Sequence, residues 1–260
     1  MYWFIPKPGN MITHNTTTGS SQQKPHRFLP GMISLVLLLS TISLNAQVVK
    51  KDSMTDIDGN VYKTIVIGQY EWMAENLKTS TYNNGKKIPR ISDSTAWPIL
   101  VTGAFCWYNN NENYSLSYGA LYNWYAVSTG LLCPDGWRVP DDEEWKILEG
   151  CADTRFGIGN QVWDKSAGRG HDAGQRLMAV SGWSSGGNGS DDLGFAALPG
   201  GERGSNGRYF LRGRSGFWWT STMYNEQGAW FRNMIYGVED INRGTHPKWV
   251  GFSVRCLRDT

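Results

Sequence analysis

The densest group of chemistry-bearing side chains is the acidic run Asp141, Asp142, Glu143 and Glu144, set between Pro140 and Trp145. Neighbouring carboxylates can serve as general acid and base, as in glycoside hydrolysis. The same residues also describe a helix entrance. Asp141 can cap exposed amides, Glu144 stands at the capping-box spacing, and Asp142 to Glu144 sit well against the positive end of a helix dipole. One structural explanation covers all four acids, so the run is read as a helix start, with Trp145, Leu148 and Ala152 on one face behind it.

Gly182-Trp183-Ser184-Ser185-Gly186 matches the G-x-S-x-G pattern of a hydrolase nucleophile. The pattern has that meaning on a strand-to-helix turn, and here it runs into GGNGSDDLG. After residue 46 the histidines are His171 and His246, neither in a supporting motif, so a Ser-His triad is not expected. The chain has no HExxH, no CxxC, no phosphate loop and no GxGxxG after a strand. Asp56, Asp58 and Asn60 begin like a calcium loop but lack its downstream glutamate, and are read as a turn. Asp191 and Asp192 are read as solvated acids on a glycine-rich loop. The expectation is therefore no catalytic residue, no metal and no cofactor.

An apolar run from Met32 to Leu44, preceded by Lys24 and Arg27 and followed by Asn45-Ala46-Gln47, reads as a secretory signal peptide cleaved after Ala46. It is shorter than the roughly 20 apolar residues of a membrane span. No cysteine stands at the cleavage point to take an acyl anchor, so residues 47–260 are expected as an exported product without a membrane span. They carry 22 basic and 23 acidic residues. That balance argues against nucleic acid and against a polybasic membrane patch. Twelve of the 13 tryptophans fall there without a gap that suggests a linker, which points to one domain.

Along this domain, Asp56–Ile67 reads as a turn and an alternating strand, and Tyr70–Leu77 pairs back against it. Residues 79–117 form a long excursion around a short strand at Ala104–Tyr108. Tyr118–Val127 suits a short buried helix, His171–Val180 a second helix candidate, and residues 183–215 a long loop. Strands return at Gly216–Thr222, Ala229–Ile235 and Val250–Leu257, so the last third is antiparallel sheet. Cys106, Cys133, Cys151 and Cys256 all lie in the exported part, where oxidation is expected. Four cysteines allow three pairings, and sequence does not choose among them. The pairing carried forward is Cys133 with Cys256, which ties the helix entrance to the last strand, leaving Cys106 with Cys151.

The ordered motifs DIDGNVYKTIVIG, WMAENL, CWYNN, YGALYNWYAV, LCPDGWRVPDDEEWKIL, GFAALPGGER, GFWWTST and GFSVRCL resemble the Fibrobacter succinogenes major paralogous domain family from about Asp56 to Asp259. The resemblance implies an exported, often surface-associated bacterial protein and implies no particular activity. GWRVPDDEEW, GFWWTST and the terminal GFSVR are also similar to C-type lectin-like and formylglycine-generating-enzyme-like domains. That likeness implies an α+β fold with two helices packed on a twisted antiparallel sheet, a long loop region, and a last strand bonded near the first helix. Lectin EPN and WND signatures are absent, and so is any match to the formylglycine enzyme's catalytic cysteines, so it carries a scaffold and no activity.

The function expected is recognition, with polysaccharide as the leading partner because flat aromatic rings stack on sugar faces. A structural or protein-binding module of the cell envelope is the alternative, and a glycoside hydrolase a third reading. The ligand residues to look for are Trp183, Asp191, Asp192, Glu202, Arg203 and Tyr224.

Overall fold

The computed structural model describes residues 49–260; the leader and signal peptide assigned to residues 1–46 lie outside them. In chain order the strands are β1 (Val49–Thr55), β2 (Val61–Ile67), β3 (Tyr70–Met73), β4 (Phe105–Cys106), β5 (Leu121–Tyr122), β6 (Ala167–Arg169), β7 (Glu202–Arg203), β8 (Tyr209–Phe210), β9 (Ser215–Met223), β10 (Gly228–Ile235), β11 (Ile241–Pro247) and β12 (Leu257–Asp259). The α-helices are α1 (Ser115–Tyr118), α2 (Trp124–Val127), α3 (Asp142–Ala152) and α4 (Ala173–Leu177). Two four-stranded antiparallel sheets, ordered β1-β2-β3-β12 and β6-β11-β10-β9, are accompanied by the small pairs β4-β5 and β7-β8. The architecture is therefore mixed, with many strands and few helices. No helix among the described residues is long and apolar enough to cross a membrane.

The turn reading of Asp56–Asn60 holds. Asp56 Oδ1 accepts from the amides of Asp58 (3.0 Å) and Asn60 (2.9 Å), and its Oδ2 from Tyr62 Oη (2.6 Å). β2 then alternates, with Val61 and Lys63 outward and Tyr62 and Thr64 inward, until Ile65 and Ile67 on the outward face are buried as well. The strand changes from one-sided to two-sided burial because its first half packs into one core and its second half into the cluster beneath α3. β12 closes this sheet, with Leu257 opposite Trp72. The Cys133–Cys256 disulfide lies beside it, and Arg138 and Leu257 exchange backbone bonds of 2.9 Å in each direction. The bond joins the approach to α3 to the chain end, as the pairing implied.

α3 starts as its sequence dictates. Asp141 accepts from the Glu144 amide (2.8 Å), and the Glu144 carboxylate accepts from the Asp141 amide (2.9 Å), a complete capping box. Trp145, Leu148 and Ala152 are buried on its inner face. Trp145 meets Trp72 (5.5 Å) and Phe195 (6.0 Å) edge-on, an arrangement that satisfies the ring quadrupoles, and Trp218 at a tilt (6.3 Å).

Several expectations are corrected. Tyr118–Val127 is not one helix: α1 ends at Tyr118, Gly119 takes φ +72°, β5 pairs with β4, and α2 restarts under an Asn123 cap. A Cβ on Gly119 would lie 2.6 Å from the Leu77 carbonyl oxygen, so the backbone turns there to pass the end of the β3 segment. The helix at 171–180 shrinks to α4, because Met178 leaves it to bridge Ala197. The segment at 250–257 is a row of isolated bridges at 251–253 before β12. β11 was not expected, since INRGTHP has no apolar alternation. Residues 183–215 are largely irregular but include the β7-β8 hairpin.

The second disulfide is absent, and Cys106 and Cys151 are free thiols. Cys106 lies in the cluster around Trp97, Tyr108 and Leu121, while Cys151 on α3 packs against the cluster of Trp72 and Trp145. They belong to different cores, and burial pushes both thiols up, Cys151 to about 11.

Candidate functional site

The acidic run is spoken for within the fold. Asp142 is buried between Arg232 (2.8 Å) and Arg243 (2.6 Å), and Glu149, about two turns further along the same face of α3, joins Arg169 and Arg232. Burial opposes ionisation of Asp142, but the Arg243 hydrogen bond and the charge of Arg232 overcome it and bring its pKa down to about 2. Glu144 holds Arg138, and Glu143 pairs with Lys146 at the surface. These carboxylates are tied to guanidinium and ammonium groups, which favours structure over acid-base work.

Ser184 stands in a one-turn 3-10 segment after extended Trp183, not on a strand-to-helix elbow, and its amide donates to the Gly213 carbonyl (2.7 Å). His246 lies against Phe231 and Phe252, and burial draws its pKa down. Among the described residues no group of three His, Cys, Asp or Glu side chains is placed to hold a metal ion.

One opening is a cavity of about 700 Å³ whose walls come from β2, the segment after β3, α1 and the loop 181–198. Asp191 and Asp192 both line it, together with Glu75, Lys63, Lys78 and Tyr118. Asp191 takes φ +50° and accepts from the Ala196 amide (2.6 Å); burial raises its pKa. Asp192 pairs with Arg176 (2.6 Å), whose hydrogen bond lowers its pKa.

Asn76 ties the cavity floor together. Its Oδ1 accepts from Trp218 Nε1 (2.9 Å) and Arg255 Nε (3.0 Å), and its Nδ2 donates to the Tyr118 carbonyl (2.9 Å) and to Ser253 Oγ (3.3 Å). Arg255 is fully buried over the Phe195 ring at 4.1 Å and donates to the carbonyls of Phe195 and Ala196, which fixes the loop carrying Asp191. Burial pulls its pKa down to about 9, with the charges of Asp191 and Glu75 opposing the fall.

This cavity shares Lys78, Ser115 and Leu116 with a second one of about 500 Å³ that reaches Asp58 and Trp107. Together they line two sides of one ridge. The Asp58 carboxylate accepts from Thr79, Ser80, Thr81 and Lys87, and the bonds from Thr81, Ser80 and Thr79 hold its pKa well below the usual range against the opposing effect of burial.

The six ligand residues read from sequence do not converge. Trp183 is buried and donates to the Ala197 carbonyl (3.1 Å). Arg203 is fully buried over Trp97 at 4.2 Å, and its nitrogens donate to the carbonyls of Ile91, Ser92, Asp93 and Gly207. It clamps a loop. Glu202 Oε2 is buried without a hydrogen-bond partner, and burial raises the pKa of that carboxyl. Tyr224 lies edge-on to Trp230 (5.1 Å) at a separate cavity of about 270 Å³. Lys63, Asn76, Lys78 and Tyr118 were missed; the polar residues that close WMAENL just after a strand were the available signal.

The family model described as Fibrobacter succinogenes major domain matches residues 65–258, most of the chain. The chain belongs to that family. No curated protein and no solved structure matches it. In this Fibrobacter succinogenes major domain the matched span runs from Ile65, beside the cavity, through the last bonded strand, and so includes Asn76, Asp191 and Arg255.

Proposed function

We propose that this domain is an exported, non-catalytic recognition module that binds polysaccharide in the cavity between Asp191, Asp192, Lys63, Lys78 and Tyr118. The observation that carries the reading is the cavity itself: about 700 Å³, with polar groups of both signs beside a tyrosine ring. A sugar needs both, since its hydroxyls donate and accept while its C–H faces stack on rings. Export is supported by the apolar run at residues 32–44 and by the Cys133–Cys256 bond, of a kind that persists in oxidising compartments. The fold is read as C-type lectin-like, supported by the bond that joins the approach to α3 to the chain end.

A glycan array followed by calorimetry on the full chain tests the proposal. Binding to a defined glycan family is the expected result, and no binding to any glycan, with or without calcium, contradicts it. Turnover of chromogenic glycosides that disappears in Glu202→Gln or Glu143→Gln would instead make the protein a hydrolase. The envelope-module reading is favoured by one feature, the loop tip where Ile99 and Val101 are 78% and 75% exposed. A stable protein partner from envelope extracts, unaffected by added sugars, would select it.

A further inference from the structure

Arg212 lies over three aromatic rings, more than any other arginine among the described residues. Arg138, Arg169, Arg176, Arg232, Arg243 and Arg258 pair with carboxylates, and Arg203 and Arg255 with carbonyls. Arg212 is exposed, and among the described residues its guanidinium has neither an ion-pair nor a hydrogen-bond partner. Three tyrosine rings hold it instead: its guanidinium carbon lies 4.3 Å from the Tyr114 centroid, 5.6 Å from Tyr108 and 5.9 Å from Tyr118. The rings brace one another, Tyr108 with Tyr114 at 6.0 Å and Tyr114 with Tyr118 at 6.3 Å.

The LPGGER motif forms the base of this cage. A Cβ on Gly201 would lie 2.8 Å from the Tyr108 ring and 2.6 Å from the Arg212 backbone nitrogen, and one on Gly200 would touch Tyr118. Cation–π contact restricts the guanidinium without using its N–H donors. A planar fork held in this way matches a carboxylate bidentately, and little rotamer freedom remains to be lost on binding. Tyr118 is common to the cage and to the lining of the 700 Å³ cavity, which places Arg212 at the cavity's border and outside its lining.

We infer that Arg212 and its tyrosine cage form a carboxylate subsite, and that the polysaccharide bound by this domain contains uronic acid residues. The inference rests on the polysaccharide reading above and narrows it. The near-zero charge of residues 47–260 fits one directed fork better than general attraction to polyanions.

Affinity electrophoresis of the full chain through gels containing polygalacturonate, neutral galactan or poly-glutamate tests this. Polygalacturonate should retard the wild type most. Arg212→Lys keeps the charge and loses the fork, and should weaken that retardation about tenfold, with Arg212→Ala at least as weak. Thermal unfolding should change by no more than about 4 °C in either, since only exposed cation–π contacts are altered. In NMR, galacturonate should shift the Arg212 Nε–H resonance and galactose should not. Equal retardation of wild type and Arg212→Lys overturns the inference. So does binding to galactan alone, which leaves the polysaccharide reading standing. Equal retardation by poly-glutamate overturns the sugar assignment, and retardation by none of the polymers, with no array hit, removes both readings.

Discussion

The entrance of α3 and the cavity beside Asp191 both gather acids and bases, and they treat them in opposite ways. At α3 the charges face inward and are paired: Asp142 and Glu149, two carboxylates, share three buried guanidinium groups, those of Arg169, Arg232 and Arg243, and Arg169 keeps two buried nitrogens without a hydrogen-bond partner. At the cavity the Lys63 and Lys78 ammonium groups have no carboxylate partner among the described residues, the Lys63 amide donates to Glu75, Asp192 pairs with Arg176 near the surface, and Asp191 is held by a backbone amide. A buried, paired network is weak evidence of net stability, yet removing one member leaves a bare charge in the core. An open set that is only partly paired, and at the surface, contributes little to folding and keeps its capacity for a ligand. The density of charge in the sequence marks the first region, and the second is marked by partners that are missing.

Variants should separate the two regions by the size of their effects. Cys133→Ser opens a loop with a sequence separation of 123 residues, and the chain-entropy model gives a loss of about 4 to 5 kcal/mol in denaturant unfolding. Glu149→Gln leaves Arg169 and Arg232 short of a counter-charge and should cost about 3 to 5 kcal/mol; a loss below 1 kcal/mol would show that the network is hydrated. Asp142 adds a pH signature. Its folded pKa of about 2 lies below its ordinary 3.8, so its contribution is complete above about pH 4 and fades as pH falls toward 2. The stability gap between wild type and Asp142→Asn should therefore be flat above pH 4 and close in acid; a gap that widens in acid contradicts the pairing.

Smaller effects follow. Asp141→Ala removes one side of the capping box, for about 1 kcal/mol in thermal unfolding. On the cavity side Asp192→Asn loses only a partly exposed pair with Arg176 and should change stability by about 0.5 kcal/mol or less. If it destabilised the fold as much as Glu149→Gln, the contrast between the regions would collapse.

What could be read in the sequence was local. The capping box at Asp141 and Glu144, the buried stripe of Trp145, Leu148 and Ala152, and the Asp56 turn each depend on neighbours a few residues away. Gly119 broke an apolar pattern that looked helical, because the strain it relieves comes from the Leu77 carbonyl, far back in the chain. β11 was invisible because Arg243 is buried by an ion pair to Asp142, 101 residues earlier, and not by an apolar period. The cavity was half visible: Asp191 and Asp192 stood out on their glycine-rich loop, whereas Asn76 matters through Trp218 and Arg255, 142 and 179 residues away.

The most direct test is amide NMR of the full chain titrated with a panel of neutral and uronic trisaccharides. The account predicts shifts concentrated in residues 63–78, 115–119 and 181–198, extending to 212 for the uronic members, with α3 from Asp142 to Ala152 unmoved. Shifts centred on α3, or on the Tyr224 and Trp230 surface with the cavity silent, would contradict it.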